Sequence, residues 1–184
     1  MAGSSGIAHP GTDDQVKTNN ALRTLLAALT LLIIGLIGFS LRDTSAKEGD
    51  RAPEFSIKTD SGQQVTPLRF GGKVLVLNFW ATWCAPCIQE IPSLNEFQKR
   101  LAPSGVVVLA ISVDKNPQKY RDFLDRIHVT FDTACDPNWD IAAQYGTFQI
   151  PETYIIKDGR VMRKLVSNQD WTNDEIMHYI ESLL

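Results

Sequence analysis

The chain has 184 residues, of which 43% are hydrophobic, and its formal net charge is −3. This length is sufficient for one well-packed domain together with an additional segment. The basic residues form no stripe of the kind that contacts a phosphate backbone, so we expect no nucleic acid among the partners. The composition therefore predicts a globular domain, and the additional segment lies at the N-terminus.

The N-terminal region contains a long apolar run. The 18 residues from Thr24 to Leu41 include no charged side chain, and as a helix they would reach about 27 Å, close to the hydrocarbon thickness of a bilayer. The run also lacks the polar stripe of an amphipathic helix. It is longer than the apolar part of a cleaved signal peptide, roughly 7 to 15 residues, which favours a retained anchor. We predict a disordered tail over residues 1–23, a transmembrane anchor over 24–41 and a linker over 42–50.

The charges that flank the apolar run do not settle its orientation. Lys17 and Arg23 precede the run, whereas Arg42, Lys47 and Arg51 follow it. By the positive-inside rule this distribution favours a cytoplasmic C-terminal domain, but long domains translocate largely regardless of such charges. Charge alone therefore leaves the topology open.

After the linker, strand and helix patterns alternate as in an α/β domain. The predicted elements follow in chain order: a hairpin of residues 52–57 and 64–65, a strand at 73–79, a helix after Cys84, a strand at 105–113, a helix with Asn116 as its cap, a short strand at 129–131, a short helix at 138–145, strands at 153–157 and 161–166 joined by the turn Asp158-Gly159, and a last helix that opens with a capping box at Thr172.

Cys84 and Cys87 stand where the strand at 73–79 passes into a helix. The partial positive charge at a helix N-terminus stabilises a thiolate, which is the reactive form of a cysteine. Residues three apart on a helix share a face, so Cys87 can close a disulfide with Cys84. The pair can therefore cycle between dithiol and disulfide.

Two structural roles for this pair are weaker alternatives. A permanent disulfide would close a very short loop and would remove little chain entropy. A zinc site needs about four ligands, and the remaining candidates do not have a matching spacing: Cys135, His9, His128 and His178. We therefore favour redox chemistry, we expect neither a metal nor a cofactor, and we interpret Cys135 as a small buried apolar residue.

Several motifs together resemble the membrane-anchored TlpA/ResA-like thiol-disulfide oxidoreductases. The matching motifs are Ala52-Pro53-Glu54-Phe55, the run from Asn78 to Cys84, the run from Cys87 to Pro92 and the run from Thr147 to Thr153. The resemblance covers about residues 48–184. It implies a thioredoxin-like fold over 51–184, with a central mixed β-sheet flanked by helices and an N-terminal β-hairpin extension. It also implies an extracytoplasmic domain, which we prefer to the inference from charge.

The resemblance assigns roles to the residues around the dithiol. Cys84 would be the attacking thiol and Cys87 the resolving thiol. The peptide bond between Ile150 and Pro151 would be cis and would face the dithiol, where it offers backbone to an extended substrate. Without the resemblance, an ordinary trans proline in a turn would be the better interpretation. Trp83, beside Cys84, and Pro86, inside the motif, are expected to contribute to substrate binding.

Asn78 is a departure from thioredoxin proper, which has a buried aspartate at the matching position. An asparagine cannot take a proton from the resolving thiol. Glu90 follows Cys87 by three residues, and the resemblance suggests that its carboxylate lies near the dithiol. There it could raise the thiol pKa values or relay a proton. The alternative is a solvated glutamate on the helix surface.

These observations predict an anchored enzyme that reduces disulfides in proteins outside the cytoplasm, such as apocytochrome c before haem attachment. Its partners would be disulfide-containing proteins, a membrane thiol that donates electrons, and the membrane itself. A copper-handling module for oxidase assembly is one alternative, because a dithiol suits Cu(I), but the methionines are scattered at Met1, Met162 and Met177. A thiol peroxidase is another, since related folds share the Ala-Pro-Glu-Phe opening, although the C-x-x-C spacing argues against it.

Overall fold

The computed structural model describes residues 12–40, 45–70 and 72–184, and side chains within the first range only from residue 22 to residue 38. The chain forms two compact units, Met1–Asp43 and Thr44–Leu184.

The first unit contains one long helix, α1, which spans Thr12–Ser40. Residues 12–23, which we predicted as part of a disordered tail, are helical. Neither glycine nor proline interrupts the sequence there, so a helix can extend through it. Residues 1–11 of the predicted tail, residue 41 of the predicted anchor and residues 42–44 of the predicted linker lie outside the described residues. Within the part of the chain that the structure describes, no helix meets the length and hydropathy of a membrane span.

The described part of the predicted linker is packed onto the second unit. The Ala46 side chain is buried, and the Ala46 N–H donates to the Tyr145 carbonyl at 3.0 Å. The Gly49 N–H donates to the Val161 carbonyl at 2.7 Å. Residues 45–50 of the predicted linker therefore pack against the second unit.

The second unit is built on a five-stranded mixed sheet with the strand order β5-β4-β3-β6-β7. β3 is parallel to β4, and β4 is parallel to β5. β6 is antiparallel to both β3 and β7. A separate antiparallel hairpin, β1-β2, precedes the sheet. The strands are β1 (Ile57–Lys58), β2 (Gln64–Val65), β3 (Val74–Trp80), β4 (Val106–Ser112), β5 (Asp132–Cys135), β6 (Glu152–Lys157) and β7 (Arg160–Val166).

Four helices accompany the sheet: α2 (Ala85–Leu101), α3 (Pro117–Leu124), α4 (Asp140–Gln144) and α5 (Asp174–Glu181). Apolar side chains pack on both faces of β3, since alternate residues of a strand point to opposite faces. Leu75, Leu77 and Phe79 join one hydrophobic cluster, whereas Val74 and Val76 join another with Phe97 and Trp171. This is the thioredoxin-like arrangement that the resemblance implied.

Local signals located most of these elements. Asn116 caps α3 through its side-chain oxygen, which accepts hydrogen bonds from the Gln118 and Lys119 N–H groups. The hairpin turn at Asp158 and Gly159 has positive φ at both residues, as the tight turn between antiparallel strands requires.

Two local predictions were wrong in detail. The strand that we expected at 129–131 is β5, at 132–135. Asn173 rather than Thr172 is the cap of α5, because the Asn173 side chain accepts the Glu175 N–H. The residues buried on α2 are Cys87, Glu90, Leu94, Phe97, Gln98 and Leu101.

Candidate active site

The dithiol lies at the junction of β3 and α2, as the sequence predicted. Cys84 and Cys87 form a disulfide. Cys84 is the residue that caps α2, and its sulfur accepts the Cys87 N–H at 3.3 Å. A donor of this kind at a helix N-terminus stabilises a thiolate on Cys84 once the disulfide is reduced. Cys84 is 5% exposed and Cys87 is 1% exposed, so Cys84 is the more accessible sulfur.

The peptide bond between Ile150 and Pro151 is cis, as the resemblance implied. The Ile150 carbonyl oxygen lies 3.7 Å from the Cys84 sulfur. The loop before β6 therefore brings a backbone carbonyl next to the sulfur that a substrate would meet.

Exposed apolar side chains flank this point. Trp83 is 65% exposed and Phe148 is 81% exposed, and Pro86 is also exposed. We call Trp83, Pro86 and Phe148 the outer surface. The sequence prediction included Trp83 and Pro86 but missed Phe148, although a large aromatic residue two positions before Ile150 was a usable signal. Ile150 itself is half-buried, and Pro151 is buried.

Behind the dithiol, Glu90 is only 2% exposed, so it is not a solvated glutamate. Its Oε1 accepts a hydrogen bond from the Asn78 side-chain amide at 2.8 Å. Its Oε2 accepts from the Gln169 N–H at 3.1 Å and lies 3.4 Å from the Trp171 indole nitrogen. The Asn78 amide also donates to Thr153 Oγ1 at 2.9 Å. We call these five residues, Asn78, Glu90, Thr153, Gln169 and Trp171, the inner network.

Burial raises the pKa of Glu90 above its usual range, and the hydrogen bonds from Gln169, Asn78 and Trp171 oppose part of that rise. Cys87 and Glu90 line the same narrow internal pocket. A carboxyl group with a raised pKa that lines the same pocket as a buried thiol can exchange a proton with it.

Asp114, at the end of β4, holds the loop before Cys84. Its carboxylate accepts hydrogen bonds from the Thr82 N–H at 2.9 Å and from Thr82 Oγ1 at 2.8 Å. The Ser112 hydroxyl donates to the same carboxylate at 2.6 Å. The sequence pattern did not indicate this residue, because a single aspartate after a strand has no distinguishing spacing.

Cys135 is half-buried rather than fully buried, and its sulfur lies 3.6 Å from the Asp114 carbonyl oxygen. Burial raises the pKa of its thiol to about 11, and the charges of Asp114, Asp60 and Asp136 add to the rise. This thiol is therefore protonated and unreactive at neutral pH. Among the described side chains, no group of three or more His, Cys, Asp or Glu residues could hold a metal ion.

A mixed sheet that delivers a C-x-x-C pair to a helix N-terminus, opposite a cis-proline, defines the thiol-disulfide oxidoreductases of the thioredoxin fold. Comparison with known proteins agrees with this class. Residues 48–165 match the AhpC/TSA family, and the chain belongs to that family.

Two relatives and one solved structure show where the chain lies within this family. It is 30% identical over 169 residues to the thiol-disulfide oxidoreductase ResA of Bacillus thuringiensis subsp. konkukian, covering 88% of this chain and 96% of that protein. It is 36% identical over 149 residues to the thioredoxin-like protein YneN of Bacillus subtilis, covering 77% and 87%. The crystal structure of a candidate thiol:disulfide interchange protein DsbE from Chlorobium tepidum matches with a TM-score of 0.70 and 28% identity, over 76% of this chain and 99% of that chain. The protein is therefore a ResA/TlpA-like thiol-disulfide oxidoreductase, which implies protein substrates.

Proposed function

We propose that this protein is held in the cell membrane by the apolar run at residues 24–41 and reduces disulfides in proteins outside the cytoplasm, among them apocytochrome c during cytochrome c maturation. The main support is the site itself: the Cys84 sulfur lies beside the Ile150 carbonyl. The exposed Trp83 directly precedes Cys84, and the exposed Phe148 stands two residues before Ile150. Such a surface suits an extended polypeptide better than a small peroxide. The similarity to ResA and DsbE proteins supports the same assignment.

In the proposed reaction, the reduced enzyme attacks through Cys84. The Cys84 thiolate forms a bond to one substrate sulfur, and the substrate disulfide breaks, so that its other sulfur leaves and takes up a proton. Cys87 then attacks the Cys84 sulfur of the mixed disulfide and releases the second substrate sulfur. The substrate gains two electrons, and the enzyme is left with the Cys84–Cys87 disulfide. A membrane thiol donor restores the dithiol.

We assign to Glu90 the role of accepting the proton that the Cys87 thiol loses. Cys87 is buried and must lose its proton before it can attack, while Asn78 cannot accept one. Glu90 lines the same pocket as Cys87 and its pKa is raised, which makes it a stronger base than an ordinary carboxylate. When Glu90 is ionised, its charge also raises the pKa of the neighbouring thiol.

A Cys87→Ser variant tests the proposed activity. It keeps the attacking thiol but cannot resolve the mixed disulfide, so extracytoplasmic proteins should accumulate in covalent complexes with Cys84. A variant with both Cys84 and Cys87 changed to serine should capture none. If Cys87→Ser captures no extracytoplasmic protein, the proposed substrate class is wrong.

Location is tested by labelling intact cells with a membrane-impermeant maleimide. The exposed Ser104, changed to cysteine in a chain whose three native cysteines are serine, should react without lysis. A Ser104→Cys label that appears only after lysis would place the domain in the cytoplasm. A chain that washes off membranes with carbonate would contradict anchoring.

A Glu90→Gln variant tests the proton assignment. Asn78 can rotate its amide and accept a hydrogen bond from the introduced glutamine amide, so the shape of the inner network is kept. We expect the apparent pKa of Cys87, measured from the pH dependence of alkylation in the reduced protein, to fall by about one unit, and resolution of the mixed disulfide to slow. Unchanged thiol pKa values together with unchanged rates would remove Glu90 from the mechanism.

A further inference from the structure

An open cleft of about 710 Å³ adjoins the dithiol on the side of Trp83. It lies between the end of β4, the start of α3 and the turn before α4. Its apolar lining comes from Trp83, Val113 and Trp139, and its polar lining includes Lys115 and Lys119. Because Trp83 directly precedes Cys84, a polypeptide whose disulfide reaches Cys84 can also reach this cleft.

Trp139 has an unusual backbone, with φ 63° and ψ 23°. This left-handed conformation is rare for a bulky residue and is maintained only when its surroundings impose it. Here the Trp139 N–H donates to the Asp136 carbonyl at 3.1 Å. The buried Asp136 carboxylate also accepts from the Asp140, Ile141 and Ala142 N–H groups at the start of α4. The turn is thus held firmly, and the indole is left half-buried against the cleft.

The charge of the cleft is set by its two lysines. Both are exposed, and in the described part of the chain neither ammonium group forms an ion pair or a hydrogen bond with a carboxylate. Asp114 also lines the cleft, but its carboxylate is buried and accepts hydrogen bonds from Thr82 and Ser112. Lys115 and Lys119 therefore remain available to an anionic group that enters.

We propose that this cleft is a substrate subsite, which binds a segment of the protein substrate where a large apolar side chain stands next to a carboxylate, close to the disulfide that is reduced. The two tryptophans would bury the apolar side chain, and the two lysines would attract the carboxylate. The inference deepens the proposed function, on which it rests, because it names the substrate chemistry that the same site selects.

Four disulfide-bonded peptides test this subsite. They differ only at two positions next to one cysteine, which carry Phe or Ala and Asp or Asn. With the reduced 184-residue chain, we expect the Phe-Asp peptide to be reduced fastest, and Asp to be preferred over Asn about fivefold at low ionic strength, as two exposed ion pairs allow. Added salt should weaken the preference for Asp and leave the preference for Phe.

Matched variants locate the effect. Lys115→Gln combined with Lys119→Gln should abolish the preference for Asp, because the rates with Asp peptides fall to those with Asn peptides. Lys73→Gln combined with Lys99→Gln removes two exposed lysines that do not line the cleft and should keep the preference. Trp139→Asn removes the indole that would contact the apolar side chain and should abolish the preference for Phe. Asparagine is chosen because it tolerates the left-handed backbone at this position.

Equal rates for all four peptides with the unaltered chain would overturn the subsite, and so would an Asp preference that survives removal of Lys115 and Lys119. These outcomes can be distinguished from a failure of the proposed function. A failure of Cys87→Ser to capture extracytoplasmic proteins would refute that function, while the peptide rates would still report whether the cleft selects its ligand.

Discussion

The two sides of the dithiol have opposite chemistry. Behind it, the inner network buries a carboxylate and supplies its oxygens with hydrogen-bond donors. In front of it, the outer surface exposes the apolar side chains of Trp83 and Phe148 to solvent. The C-x-x-C motif thus places the Cys87 sulfur on the side of the inner network, where a carboxylate can accept a proton. It places the Cys84 sulfur on the side of the outer surface, where a polypeptide can bind.

This difference separates changes that affect stability from those that affect recognition. A buried polar group that loses its partner costs about 1–3 kcal/mol in free energy of unfolding. A substitution at an exposed position is usually worth less than about 0.5 kcal/mol. Variants of the inner network should therefore alter folding and pH dependence together, whereas variants of the outer surface should alter substrate rates alone.

The largest expected effect comes from the sulfur that faces outward. Cys84→Ala should lower the rate of disulfide reduction on the order of a thousandfold, because Cys87 is too buried to attack a substrate. Cys87→Ala is the matched control and should still form a mixed disulfide, detected by mass spectrometry. If Cys84→Ala formed that complex instead, the assignment of outward and inward sulfurs would be reversed.

Asn78→Asp should destabilise the inner side in a pH-dependent way. Two adjacent buried carboxyl groups raise the pKa of the pair in the folded state. The folded state then binds more protons than the unfolded state above about pH 4, so the free energy of unfolding should fall as pH rises. We expect a loss of about 3 kcal/mol at pH 8 and less at pH 5, measured by urea denaturation.

The control for this variant is Asn78→Asp combined with Glu90→Gln. The double variant has one carboxyl group instead of two, and the introduced glutamine amide can donate a hydrogen bond to the introduced aspartate. It should recover most of the stability lost at pH 8. Equal losses at pH 5 and pH 8 in the single variant would show that charge repulsion is not the cause.

On the outer side, Phe148→Ala should change the free energy of unfolding by less than about 0.5 kcal/mol. Its second-order rate with a protein disulfide should nevertheless fall roughly fivefold, because an exposed aromatic residue contributes through contact with the partner. Leu68→Ala, at an apolar residue that is 71% exposed in another part of the chain, should leave that rate unchanged. If the two variants changed the second-order rate equally, Phe148 would have no specific role in substrate recognition.

The smallest effect is expected at Cys135, which belongs to neither side. With its thiol pKa raised to about 11, Cys135 should be alkylated much more slowly than Cys84 in the reduced protein at pH 8. Cys135→Ala should leave the reduction rate unaltered. A thiol at Cys135 that reacts as fast as Cys84 would contradict the environment described above.

Local signals predicted most of the fold because each depends on neighbouring residues. The cap at Asn116, the turn at Asp158 and Gly159, and the helix start at Cys84 were all confirmed. The sequence left open whether Glu90 is buried near the dithiol or solvated, because apolar spacing does not identify a buried glutamate. Glu90 is buried on α2 with Cys87, and its burial depends on donors that follow it by 79 and 81 residues.

The sequence by itself determined the dithiol, its position at the start of a helix and the type of reaction that such a pair performs, since these depend on a few consecutive residues. Only the tertiary structure decided what surrounds it. The Ile150 carbonyl comes from 66 residues beyond Cys84, the partners of Glu90 come from β3 and from the segment before α5, and the cleft joins three separate turns. These contacts arise because the sheet brings distant segments together, and no local pattern encodes that proximity.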